Sequence, residues 1–589
     1  MQALRLAGLL PLMLLASQGT HPRPSEAIRL NQIGFYPGAP KAAFIVGDGG
    51  ETFYVLTADQ RDTAFTGRLR PARATSSSSD TTRAADFSAL WTPGRYVVLV
   101  PGLGVSYPFE IRPRVHEELV RAALKAFYFQ RASLALEPRY AGKWSRAAGH
   151  PDTRVLVHPS AASDGRPAGT VISSPGGWYD AGDYNKYIVN SGITVATLLS
   201  LYEDFPQYVR ALRVDIPESG DAVPDLVHEA LWNLRWMLTM QDPADGGVYH
   251  KLTEPRFEGF VSPAEARSPR YVVQKSTAAT LDFAAVMAQG ARVLRPFERR
   301  MPGLSDSALT AAVRAWNWAR RHPDVFYDQA RLNQQFEPHI ETGTYGDGDV
   351  RDEFLWAATE LGVTTRQDSF FTAVPLFPDS AAPLPSWRQV RTLAYYTLAR
   401  FRAQLPGAVA GDRTRLERTL IRATDDLVQR ASGTAYGTVM GGATADFVWG
   451  SNSVAANQGI ALIVAYRLTG DRSYLRHALG NLDYILGRNA TGYSFVTGFG
   501  ARTPWHPHHR PSATDAIDAP VPGLLVGGPN PGRQDGCAYP DTAPDKAYVD
   551  DVCAYASNEV AINWNAPLVY LAAALEALQY EAGFSRGPR

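Results

Sequence analysis

Cysteine is nearly absent, with 2 in 589 residues, which excludes both a disulfide-stapled scaffold and a zinc fold built on clustered cysteines. Excess charge of either sign is also missing. Lys+Arg 58 balance Asp+Glu 58, and no Lys/Arg run occurs. Nucleic acids and anionic membranes select basic surfaces, so neither is an expected partner. No apolar run reaches the roughly twenty residues that a membrane helix needs, and no exact internal repeat is visible. With 45% hydrophobic and 20% charged residues, the chain is neither disordered nor low in complexity.

What the chain does have is length and aromatic side chains. At 589 residues it exceeds one compact core, so two or more domains are expected. Its 12 Trp and 27 Tyr suit stacking on flat ligands, although most aromatics serve the core. Met1 to Arg5 is weakly basic and Leu6 to Ala16 is apolar but broken by Pro11. That stretch is too short to span a bilayer and reads as a secretory signal over residues 1–18, with no following Cys for a lipid anchor. A secreted or periplasmic protein is therefore expected. Export would expose Cys537 and Cys553 to oxidising conditions, where one disulfide and two separate buried thiols both remain open.

From Ile28 to Arg112, β-branched and aromatic runs such as Tyr96-Val-Val-Leu-Val100 alternate with turns such as Pro93-Gly94 and Pro101-Gly102. This pattern predicts a small β-sandwich over residues 25–112. After Arg114 the period changes. Val115 to Phe127 carries apolar residues three and four apart, and similar stretches recur near 191–204, 223–240, 275–294, 306–321, 388–403, 414–431, 453–468, 473–486 and 558–580. Ten to twelve helices over residues 115–585 predict a mainly α domain, closed or layered, with loops available for a site.

Three loop segments carry chemistry. Pro175-Gly-Gly-Trp-Tyr-Asp180-Ala-Gly-Asp183 sets two carboxylates three residues apart. Their repulsion drives the pKa values apart, which suits a general base with a supporting partner. Taken alone, the motif is more often a turn. In Tyr548 to Ala566, an isolated Glu559 stands at the start of an otherwise apolar helix, where desolvation would keep it protonated and the helix dipole would oppose that. Ser494 to Arg510 brings His508, His509 and Arg510 beside Trp505, a cluster able to bind metal, phosphate or sugar hydroxyls.

Together the three segments resemble glycoside hydrolase family 9, and Ile28-Arg-Leu-Asn-Gln-Ile-Gly-Phe-Tyr36-Pro resembles the immunoglobulin-like module that precedes many of its members. The resemblance implies an (α/α)6 barrel that cleaves β-1,4-glucosidic bonds with inversion. Asp183 would be the base, Asp180 would hold the water, and Glu559 would be the acid. Such a pair needs carboxyls about 6.5–9.5 Å apart. His508, Arg510 and His250 would contact substrate, as would Trp178, Tyr345, Tyr555 and Trp564 as aromatic partners. Trp564 departs from the Tyr of many relatives. No cofactor is implied for the chemistry. Asp349, Asp352 and Glu353 resemble a structural calcium loop, but Trp387-Arg388-Gln389-Val390 replaces the Asp that would complete it. The zinc site of some relatives has no Cys here. The expected partner is a β-glucan or cello-oligosaccharide, the expected state a monomer. Two other readings stand beside this one: an exo-β-glucosaminidase on chitosan oligosaccharides, and a non-catalytic glycan-binding protein.

Overall fold

The computed structural model describes residues 24–431 and 433–587; the signal segment expected at 1–18 lies outside them. The first part is an all-β sandwich. One sheet orders its strands Ile28–Arg29, Ala42–Val46, Thr81–Asp86 and Arg73–Ala74. The other runs Gly34–Phe35, Phe109–Ile111, Gly94–Val100, Thr52–Thr57 and Thr63–Arg68. Side chains alternate across a pleated strand, so Phe53 and Val55 point inward while Thr52 and Tyr54 are partly exposed. Phe35 packs edge-on against both Phe87 and Phe109 at centroid separations of 5.4 Å.

From Glu117 onward the chain is helical. Six helices are buried on nearly all sides: Ile188–Asp204, Thr277–Leu294, Arg351–Thr365, Arg391–Arg400, Ser451–Thr469 and Ile562–Leu578. They form the inner ring. Around them lie helices with one apolar stripe, such as Glu117–Phe129, Leu304–Arg321 and Arg413–Ala431. This is the (α/α)6 arrangement. Inner helices are covered by protein on every face, whereas outer helices keep a polar face for water. Small residues such as Ala572-Ala573-Ala574 let the inner helices approach closely.

Helix Arg351–Thr365 was not foreseen, because its stretch reads as an oxygen-rich loop running into a segment without a stripe. Being an inner helix, it buries Thr359 and Glu360 along with Leu355 and Trp356, so no stripe exists to be read. At the barrel mouth a small sheet orders its strands Val171–Ile172, Val155–Val157, Tyr271–Val272, Lys251–Thr253 and Lys186–Tyr187. Lys186 follows Asp183 by three residues, so this sheet is the frame for the first motif. Among the described residues, no helix is long and apolar enough to cross a membrane.

The sandwich is joined to the barrel by buried polar contacts. Asn31 Nδ2 donates to Asp483 at 2.8 Å and Tyr36 Oη to Glu576 at 2.8 Å. Gln32 donates to the Gly492 carbonyl at 2.8 Å and accepts from the Ala501 and Arg502 amides at 3.0 and 2.8 Å.

Candidate active site

Asp180, Asp183 and Glu559 face one cleft of about 490 Å³ at the barrel mouth. Glu559 does not stand at a helix start: that helix begins at Ile562, and Glu559 is extended (φ −73°, ψ 156°). Extended backbone lets it pair alongside His508 and accept from the Gly527 amide at 2.8 Å through its carbonyl. The two motifs are pinned to each other. The Ile562 amide donates to the Asp180 carbonyl at 2.9 Å, and the Gly182 amide donates to Glu559 Oε1 at 3.3 Å. Gly182 passes so close to the His508 carbonyl that a Cβ would lie 2.0 Å from it, so only glycine fits.

Each carboxyl has its own surroundings. Asp180 accepts from Asn190 Nδ2 at 2.6 Å and from Tyr345 Oη at 2.8 Å. Burial, reinforced by the Asp183 charge, nevertheless pushes its pKa up to about 8. Asp183 accepts from the Asn185 amide at 3.3 Å and Asn185 Nδ2 at 3.0 Å. Asn185 is turned the right way because its own oxygen accepts from Thr253 Oγ1 and the Glu254 amide, each at 2.9 Å. Burial raises Asp183 too, but the Arg510 charge is the largest influence in the opposite direction. Glu559 is held well above the ordinary carboxyl range by burial and then by Asp183, with Arg510 opposing. One carboxyl with a nearby guanidinium and another kept protonated, facing one cavity, is an acid–base pair in the making.

A buried ion network lies under the first motif. Asp152 joins Lys186 Nζ at 2.7 Å and Arg270 Nε at 3.1 Å. Arg270 also reaches Glu254 at 3.1 Å and the Tyr184 carbonyl at 2.9 Å. Lys186 donates to the Gly176 carbonyl at 2.8 Å, and His150 bridges Glu254 and Tyr179 at 3.1 and 2.8 Å. The backbone on both sides of Asp180 and Asp183 is thereby fixed by charged donors. Neither Asp152 nor Arg270 was singled out from sequence, since only the fold brings 152, 186 and 270 together.

The remaining expected residues divide. Tyr345 and Trp564 line the cleft, joined by Tyr187, Phe257, Trp387 and Trp449, which sequence reasoning did not name as a wall. Tyr345 takes a left-handed φ of 44°, a conformation unusual for a large side chain and frequent at functional sites. Trp178 is not a platform. It is fully buried, tilted against Phe127 at 4.8 Å, and a ring with no open face cannot stack on sugar. His250 does not reach the cleft either. It is fully buried, stacked on Tyr327 at 4.1 Å, accepts from Ser276 Oγ at 2.8 Å and donates to the Thr344 carbonyl at 2.7 Å. Burial lowers its pKa to about 3, so it is a neutral strut behind Tyr345. Arg510 is nearly buried, donates to the Gly182 and Glu258 carbonyls at 3.0 and 2.9 Å, and lies 5.8 and 5.3 Å from the ring centres of Phe257 and Phe260. His508 is half-buried, with Nδ1 donating to the Val552 carbonyl at 2.6 Å. Tyr555 stands between His508 and Trp449 and donates to the Gln534 carbonyl at 3.0 Å.

The calcium ligands do not assemble. Asp349 is turned outward and paired with Arg351, Asp352 accepts from the Val390 amide at 2.7 Å, and Glu353 is buried in the first turn of helix Arg351–Thr365. Among the described residues no three His, Cys, Asp or Glu side chains are grouped to hold a metal. Cys537 and Cys553, left open by the sequence, are joined in a disulfide with Cα atoms 6.2 Å apart.

The fold and its opposed carboxyls define a glycoside hydrolase with an all-α barrel and an appended β-module. The chain belongs to glycosyl hydrolase family 9: the model of that family matches residues 116–572, and that of the cellulase N-terminal ig-like domain matches residues 23–105. Xyloglucan-specific endo-beta-1,4-glucanase BoGH9A of Bacteroides ovatus is 48% identical over 94% of this chain and 94% of its own length. Endoglucanase D of Acetivibrio thermocellus is 32% identical over 92% of this chain and 82% of its own length. The solved structure titled Bacteroides ovatus GH9 superposes with a TM-score of 0.90 at 46% identity, covering 94% of this chain and 100% of that one.

Proposed function

We propose that the chain is an exported, endo-acting β-1,4-glucanase that works as a monomer, inverts the anomeric centre and prefers xyloglucan. The single observation that carries the reading is the convergence of Asp180, Asp183 and Glu559 on one aromatic-lined cleft. Asp183, the carboxylate favoured by Arg510, takes a proton from water as that water attacks the anomeric carbon. Asp180 orients the same water. Glu559, held protonated by burial, gives its proton to the departing glycosidic oxygen. The Lys186–Asp152–Arg270 network keeps the attacking side rigid.

Endo action is supported by the lining of the cleft, which includes no residue from the long segment 145–175. That segment is occupied in the mouth sheet through Val155–Val157 and Val171–Ile172. Xyloglucan is supported by the 48% relative, and export by the disulfide. The domain limits that fit this reading are 25–112 for the module and 115–585 for the barrel.

The test is viscosity and reducing-end release on xyloglucan and carboxymethyl cellulose, with the first product's anomer read by NMR. A rapid viscosity fall, fastest on xyloglucan, with the α-anomer first is the expected result. Glucose or cellobiose from the outset with viscosity unchanged would overturn endo action. A β-anomer first would overturn the base and acid roles.

A further inference from the structure

Lys251, on strand Lys251–Thr253, is fully buried, and its three hydrogen-bond partners are all neutral. Its Nζ donates to Gln329 Oε1 at 2.7 Å, Thr342 Oγ1 at 2.9 Å and the Gly343 carbonyl at 2.6 Å. The rings of Tyr187 and Tyr327 flank it, each centred 5.5 Å away. Burial pushes the ammonium well below the ordinary lysine value, and the charge that opposes this is Asp183. A buried cation held only by neutral oxygens is costly to keep. The hydrolysis described above makes no use of it.

Two paths lead from this ammonium to the carboxyls on the attacking side. The first is a chain of hydrogen bonds. Thr342 Oγ1 lies 2.6 Å from Thr253 Oγ1, Thr253 Oγ1 lies 2.9 Å from Asn185 Oδ1, and Asn185 Nδ2 donates to Asp183 Oδ2 at 3.0 Å. Its direction is fixed at both ends. An ammonium only donates, so Thr342 accepts from Lys251 and has its one hydrogen left for Thr253. Thr253 faces two acceptors, Asn185 Oδ1 and the Glu254 carbonyl at 2.8 Å, so its hydrogen goes onward and its oxygen accepts from Thr342. The donors therefore run from Lys251 toward Asp183, and each strengthens the next.

The second path is backbone. The Gly343 carbonyl held by Lys251 is followed by the Thr344 carbonyl held by His250, and next comes Tyr345 with its left-handed φ of 44°. A large side chain keeps that conformation only where its surroundings impose it. Tyr345 Oη is one of the two side-chain donors to Asp180.

We propose that Lys251 is a positioning residue for the hydrolysis: its ammonium sets the direction of the chain that ends on Asp183 and anchors the turn that aims Tyr345 at Asp180. The proposal rests on the glucanase reading above. The ammonium acts on the base through three intervening side chains. A donor favours the ionised carboxylate, and the base must be ionised to work, so weakening the chain moves the acid limb of the pH–rate profile upward.

The experiment measures kcat and KM against pH on the better used of xyloglucan and carboxymethyl cellulose. It compares the unaltered protein, Lys251→Met, Thr342→Val and the double variant, with circular dichroism to verify folding. In each single variant the acid limb should rise by about half to one pH unit. The kcat of Lys251→Met should fall about ten- to a hundredfold, with KM within about twofold. The double variant's limb should lie no higher than that of Lys251→Met, because both substitutions cut one chain. A lysine that only supports the fold would lower Tm and leave the limb in place. An unmoved limb in either folded single variant, or a further rise in the double variant, would overturn the assignment and leave the hydrolase reading intact. Thr342→Val, which keeps the side chain's shape, decides the matter if Lys251→Met does not fold. An unaltered protein that cleaves no β-1,4-glucan would overturn the hydrolase reading and this role with it.

Discussion

Asp180 is the residue whose ionisation most directly links site and stability. Its folded pKa of about 8 lies above the ordinary Asp value of 3.8, so the folded state holds its proton longer than the unfolded state does. The stability this confers is fully present below about pH 4 and is lost as pH rises through about 8. Asp180→Asn should therefore gain in Tm relative to the unaltered protein as pH is raised from 4 to 8. A constant Tm difference across that range would contradict the shift. Asp183, raised more modestly, should place the acid limb of the pH–rate profile above the usual Asp range, with Glu559 governing the alkaline limb. Glu559→Gln should lower kcat by about 10²- to 10⁴-fold on natural glucan and remove the alkaline limb. The carboxyls were legible in the sequence because their motifs are local. Trp178 was misread because burial is invisible in a motif: it lies two residues from Asp180, yet points into the core beside Phe127. Trp387, Trp449 and Phe257 went unrecognised as a wall because they come from loops far apart in sequence.

Segments between helices carry most of the precision. The ion network under the first motif links residues 152, 186, 254 and 270, all of them buried. Asp152→Ala would leave Lys186 and Arg270 without their shared partner, a loss worth about 3–5 kcal/mol for a buried pair. Urea unfolding should register that loss, and kcat should fall more than KM rises because the base side loosens while the sugar-binding wall does not. The disulfide closes the segment 537–553 just before Glu559. Replacing both cysteines by serine should cost about 3 kcal/mol by the loop-entropy relation, measurable as a lower urea midpoint. Strand periodicity and outer-helix stripes made most elements legible. Helix Arg351–Thr365 was not, since an inner helix buries polar and apolar residues together and shows no period.

At the scale of the molecule, the β-module completes the barrel's polar interior. Asp483 and Glu576 are buried barrel carboxyls that accept from Asn31 and Tyr36. A protein truncated to begin at residue 113 should melt several degrees lower, because each carboxyl loses a partner at about 1–3 kcal/mol. Calorimetry of the truncated protein decides this, and an unchanged Tm would contradict it. Sequence reading recovered both architectures and their order. It could not recover how they interlock, because Gln32 meets Gly492, Ala501 and Arg502 across more than 450 positions of chain.

That interlock bears on how such an enzyme can be recombined. Gln32 supplies a donor and an acceptor to the strip of backbone that runs on to His508 and Arg510. A sugar-binding module tethered by a flexible linker can be exchanged between genes as a cassette without disturbing the catalyst. This module cannot be traded in that way. A foreign sandwich without a matching amide at that position would leave open valences in the catalytic half, so the two halves must travel, and be engineered, as one heritable unit.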